Sequence, residues 1–150
     1  MPAAKLPSPH VHNHQRKHKL DTRWLKKVAK AALPECLSAA KSADAPLHQL
    51  EEIEISLISD EEIARVHGEF LEDPTPTDVI TFHHGEILIS TDTAESQGSE
   101  NGNSVADETA LYIIHGLMHL GGWDDHEAEE AAEMARIQEG IWKKALGKGS

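Results

Sequence analysis

The stretch His115-Gly-Leu-Met-His119-Leu-Gly-Gly-Trp-Asp-Asp-His126 constrains this chain more than any other. Ser104 followed by Asp107 resembles a capping box. Val105, Leu111, Ile114, Leu117 and Met118 then recur at roughly helical spacing until Gly121-Gly122 stops the run. His115 and His119 are four apart, so both imidazoles leave one face of that helix, one turn above each other. The glycine pair lets the chain reverse, and His126 can return toward the same point. Three neutral imidazoles converging in this way make the usual shell of a catalytic zinc, with a fourth position for water. A histidine pair on a half-buried helix is more often only packed and hydrogen-bonded. Here a glycine break and a third histidine follow at once, and imidazoles are costly to set beside an apolar core without a partner. Residue 116 is Gly, so the zincin protease pattern lacks its general-base Glu.

At this stretch the sequence resembles the YbeY-type endoribonucleases, bacterial proteins of rRNA maturation with the hallmark His-Gly-x-x-His-Leu-x-Gly-Tyr-Asp-His. Trp123 takes the aromatic place. Asp124-Asp125 stands where one Asp is usual, which reads as an extra residue, and the third histidine is carried over to His126. Pro76-Thr77-Asp78-Val79 and Gly85-Glu86-Ile87 resemble two further family segments, so the likeness covers most of residues 50–130 in order. One departure stands out. The family usually carries an arginine six residues before the Thr of Pro-Thr-Asp-Val, for catalysis or phosphate binding, and here that position is Leu71.

The resemblance implies a metal-dependent endoribonuclease specific for single strands, acting in rRNA maturation and ribosome biogenesis. Its partner is RNA, the rRNA of the small ribosomal subunit. One Zn2+ per chain is expected on His115, His119 and His126. Asp124 or Asp125 is expected to accept a hydrogen bond from the remote ring nitrogen of a ligand, which fixes its tautomer. Two rival readings use the same residues: a zinc-stabilised ribosome-assembly protein with little catalysis, and a metal-dependent hydrolase of another substrate.

Composition bounds the class. With 150 residues and 39% hydrophobic content the chain fits one domain, expected over residues 10–150 after a disordered lead at 1–9. No apolar run approaches the roughly 18 residues of a membrane span. Together with the lone Cys36, that suits a cytoplasmic protein, with Cys36 structural rather than catalytic. The net charge of −12 looks wrong for an RNA enzyme, but residues 1–30 balance at +7 and leave −19 for the rest. Such asymmetry allows a basic face on an acidic body.

The expected elements give an α+β domain: a mixed sheet of about four strands with packed helices, one of them carrying the metal-binding histidines. Residues 10–15 alternate as a first strand, and His10, His12, His14 and His18 read as a tract that binds metal only adventitiously. A helix capped by Asp21 spans 22–33 and is ended by Pro34. Residues 35–50 are expected as a short helix and a loop. Ile53, Ile55 and Leu57 mark a strand, and Ser59 with Glu62 opens a helix to about residue 70. Residues 73–82 run from a proline-stiffened loop into a strand, and residues 85–90 form the next, separated by a hairpin-like turn at His83-His84-Gly85. Residues 94–104 read as a polar loop. The last helix, 127–146, carries an apolar stripe with no ligand role.

Overall fold

Alternating apolar residues become strands buried on one face or both. The computed structural model describes residues 6–72 and 77–147; the first five residues of the expected lead and the proline loop at 73–76 lie outside them. Four strands, β1 (Ser8–Asn13), β2 (Glu52–Ile58), β3 (Val79–Phe82) and β4 (Glu86–Ser90), form one sheet in the order β1-β2-β4-β3. The pairs β1–β2 and β2–β4 are parallel and β3–β4 is antiparallel, so the sheet is mixed as the sequence indicates.

Six described helices surround it: α1 (Thr22–Ala39), α2 (Pro46–Gln49), α3 (Asp60–Leu71), α4 (Thr91–Asn101), α5 (Val105–Leu120) and α6 (Ala128–Ala145). The main core lies between Ile53, Ile55, Leu57, Ile87 and Ile89 of the sheet and residues of α1, α5 and α6. On the other face Ile58, Ile80 and Leu88 meet Ile63 and Val66 of α3 in a smaller cluster. No described helix is long and apolar enough to cross a membrane.

Three boundaries differ from the sequence reading. The first strand begins at Ser8, so residues 8 and 9 belong to the sheet. Ser8 N donates to Glu51 O and His14 N to Leu57 O, which turns the backbone nitrogens of Pro9 and Val11 to the outer edge, where proline's missing N–H costs no ladder bond. Next, α1 runs through Pro34. The buried stripe Leu25, Val28, Ala29, Ala32, Leu33 and Cys36 continues past the proline, and Pro34 and Lys30 are both exposed. The Lys30 carbonyl that loses its helical partner can therefore be hydrated. Finally, the expected loop at 94–104 is mostly helix. Ser90 caps α4 at Thr93 N, and only the small residues Thr91, Ala94 and Gly98 are buried, too faint a stripe to read as periodicity.

The placement of α5 rests on Gly116. A Cβ there would stand 2.9 Å from Ile87 Cγ2 and 3.0 Å from Cδ1, and Ile87 is fully buried. The helix backbone thus lies directly on β4. Cys36 is also buried, and desolvation, helped by the Glu35 carboxylate, pushes its thiol up to about 12.

Two measurements check this packing. Gly116→Ala should gain roughly 1 kcal/mol in helix propensity but lose about 1–3 kcal/mol to overpacking, so urea denaturation should show net destabilisation. The native protein should resist thiol alkylation at pH 8, with Cys36 reacting only on unfolding.

Candidate metal centre

The last turns of α5 bring two imidazoles together. His115 Nε2 and His119 Nε2 are 3.0 Å apart, with the rings edge to face. Each remote nitrogen has a fixed partner. His115 Nδ1 donates to Gln138 Oε1 of α6 at 2.7 Å, and His119 Nδ1 donates to the Trp123 carbonyl at 2.9 Å. Both acceptors take the Nδ1 proton, so neutral rings present bare Nε2 lone pairs to each other. Burial, and then the neighbouring His119, pull the His115 pKa below its usual value, against the opposing pull of Gln138, Asp78 and Asp125. The ring is therefore kept in the neutral form that a metal ligand requires.

The loop after α5 is pinned on both sides. Gly122, at φ +94°, makes the reversal that a side chain would resist. Trp123 N then donates to Met118 O, and its indole Nε1 donates to Ala39 O at 2.9 Å, at the end of α1. The Lys41 ammonium lies 4.9 Å from the centroid of that ring and pairs with Glu130, whose other carboxylate oxygen accepts from Asp124 N. Between these anchors Asp125 turns inward, its Oδ2 3.8 Å from each of the two Nε2 atoms.

His126 is not brought to the pair. Its side chain is 86% exposed, its backbone N donates to Asp124 Oδ1, and its ring faces the same oxygen at 3.4 Å. Its ligand nitrogen lies within 4.8 Å of carboxylate oxygens of Asp124 and Asp125, whereas the group that includes His115 and His119 is closed by Asp125. Asp124 and Asp125 do not accept from the remote ring nitrogens either, because Gln138 and Trp123 do. The position count agrees with this arrangement. The third histidine of the family hallmark stands six positions after the second, and six beyond His119 is Asp125, with Trp123 and Asp124 already in register. No inserted residue is needed. Asp125 stands in the third histidine's place.

The donor set fits a cation. Donors held at about 2.1 Å on one ion lie about 3.0–3.4 Å apart for right-angle to tetrahedral geometry. Edges of 3.0, 3.8 and 3.8 Å lie within a small side-chain adjustment of that. Two lone pairs face to face repel unless a positive charge lies between them. A second group within ligand reach, Asp124, Asp125 and His126, is wholly exposed.

Beside these donors opens a cleft of about 410 Å3, walled by β3 (Val79, Ile80, Thr81), by His67 and Leu71 of α3, and by the loop from Trp123 to His126. His83, read in sequence as a turn residue, does sit in the turn before Gly85 and also lines this cleft. The tract of the N-terminal region is spent elsewhere. His10 pairs with Glu52, His12 with Glu54, and His18 is buried between Asp92 and Glu95.

The family model described as Endoribonuclease YbeY matches residues 10–146. The chain belongs to the YbeY family. The endoribonuclease YbeY of Geobacter metallireducens is 31% identical over 141 residues, covering 85% of this chain and 87% of that protein. That of Kineococcus radiotolerans is 29% identical over 109 residues, and the match spans 61% of this chain and 63% of that protein. A Thermotoga maritima protein solved in solution shares the fold, with a TM-score of 0.62 at 24% identity over 93% of this chain and 90% of that one.

Sequence reasoning missed Gln138, which sits one residue beyond Ile137 on the border of the α6 stripe and gives no periodic signal. Gln138→Leu should free the His115 ring and weaken metal affinity by about 10–100-fold, measured by chelator competition. Gln138→Glu, which keeps an acceptor, should recover most of the loss.

Proposed function

We propose that this chain is a metal-dependent endoribonuclease that cuts single-stranded RNA during rRNA maturation in the cytoplasm, with zinc as its usual ion. The observation that supports the reading is the convergence of two bare imidazole nitrogens and one carboxylate at the wall of an open cleft. His115, His119 and Asp125 would hold the ion, and two histidines with a carboxylate are a known catalytic zinc set. When bound, a divalent ion supplies Lewis acidity toward a phosphoryl oxygen and toward water.

The rest falls to the chain itself. Gln138 and the Trp123 carbonyl hold both ligand rings in the tautomer that presents Nε2. The cleft has the volume of a small-ligand site, which suits one unpaired strand with a phosphate turned inward better than a duplex. Among its described lining residues there is no lysine or arginine, and the imidazoles there are those of His67, His83, His119 and His126. Lys27 and Lys30 on the exposed side of α1, with the half-buried Lys26, are a second support for RNA phosphates. One observation favours the rival assembly-protein reading. Leu71, at the family's arginine position, lines the cleft and is 55% exposed, so a phosphate-binding cation is missing there.

The test is cleavage of single-stranded RNA by protein carried through repeated purification. His115→Ala and His119→Ala should each abolish metal-dependent cutting, whereas activity that survives them would belong to a contaminant. Leu71→Arg should raise turnover by up to about 10²–10³-fold, the usual worth of one transition-state donor, with metal affinity unchanged. A bound ion that raises the melting temperature without any turnover, in the Leu71→Arg variant as in the unaltered chain, would establish the assembly-protein reading instead.

A further inference from the structure

The exchange of a histidine for Asp125 at the third corner changes the charge of the centre. Three imidazoles are neutral, whereas two imidazoles and a carboxylate carry −1. The carboxylate is equidistant from both Nε2 atoms at 3.8 Å and 47% exposed, so it can close on an ion by side-chain rotation alone. Three bonds hold Trp123 and Asp124, and with them the start of the Asp125 segment, in place: indole Nε1 to Ala39 O, Trp123 N to Met118 O and Asp124 N to Glu130 Oε2. His126 is itself engaged by Asp124 through both its backbone and its ring.

From this we infer that the centre is a two-histidine, one-carboxylate site whose selectivity is shifted toward harder divalent ions such as Mn2+. Asp125 supplies the third donor and His126 supplies none. Carboxylate oxygens suit Mg2+ and Mn2+, and imidazole nitrogens suit Zn2+, so one oxygen in the shell narrows the gap between zinc and manganese without reversing the general order of affinities. The inference rests on the reading of the cleft as a metal centre and adds which residue closes it and what that does to the choice of ion.

The experiment measures Zn2+ and Mn2+ affinities of the metal-free full-length chain by calorimetry and chelator competition, with no activity assay. Wild type is compared with His115→Ala, Asp125→Ala, Asp125→Asn, Asp125→His and His126→Ala, each checked for its fold by circular dichroism. Asp125→Ala and Asp125→Asn should weaken both ions by at least about tenfold, and His126→Ala should change neither appreciably. Asp125→His should keep zinc and lose manganese, so that the zinc-to-manganese affinity ratio rises at least about tenfold. Since the Asp125 side chain is 47% and that of His126 86% exposed, these variants should fold, and the isosteric Asp125→Asn carries the test if the alanine does not. Loss of zinc in His126→Ala with retention in Asp125→Asn would overturn the assignment, and an unchanged ion ratio in Asp125→His would overturn the selectivity. Unaltered zinc binding in His115→Ala would instead remove the metal centre itself, a separate failure.

Discussion

The seating of α5 on β4, with nothing between Gly116 and Ile87 but van der Waals contact, is the constraint from which the rest of the site follows. A helix that close to a sheet cannot roll or slide without clashing, so the side chains flanking the glycine have fixed positions. His115 and His119 inherit that rigidity and need only their tautomers set. A larger residue at 116 would lift the helix and separate the histidines from the wall formed by β3.

Four parts of the chain then meet at one place. The end of α5 supplies the imidazoles, the following loop supplies the carboxylate, α6 supplies the amide oxygen of Gln138, and the end of α1 anchors the loop through Ala39 O. The donors are thereby organised before any ion arrives. Preorganised donors lose little on binding, which is why partners of the ligands matter almost as much as the ligands themselves.

How much of this is legible in the sequence depends on the range of the signal. The helix carrying His115 and His119, the alternation of Ile53, Ile55 and Leu57, and the caps at Ser59 and Ser104 are local patterns, and each appears in the fold as read. The family resemblance is equally legible because it rests on a long ordered motif. What the sequence hides is decided by distant contacts. Pro34 reads as a stop, yet the buried stripe beside it is set by the sheet and by α5, not by the helix itself. The helix α4 escapes notice because it buries only small residues against α5. Gln138 meets His115 across 23 positions, which no spacing rule anticipates. That Asp125 rather than His126 lies beside the histidine pair is hidden for a simpler reason. Three histidines in one stretch match a zinc shell so well that a carboxylate able to do the same work reads as their helper.

The proline at the start of the sheet has a consequence for how copies of this protein meet one another. With β1 at one end of the strand order, its outward backbone groups are what a stray strand would pair with, and Pro9 deletes a donor from that row while imidazole side chains crowd the same strand. At the opposite end, β3 offers only four residues. An open sheet of this kind would otherwise be a template for growth by addition of further strands. Both of its borders are instead poor starting points for the addition of a further strand.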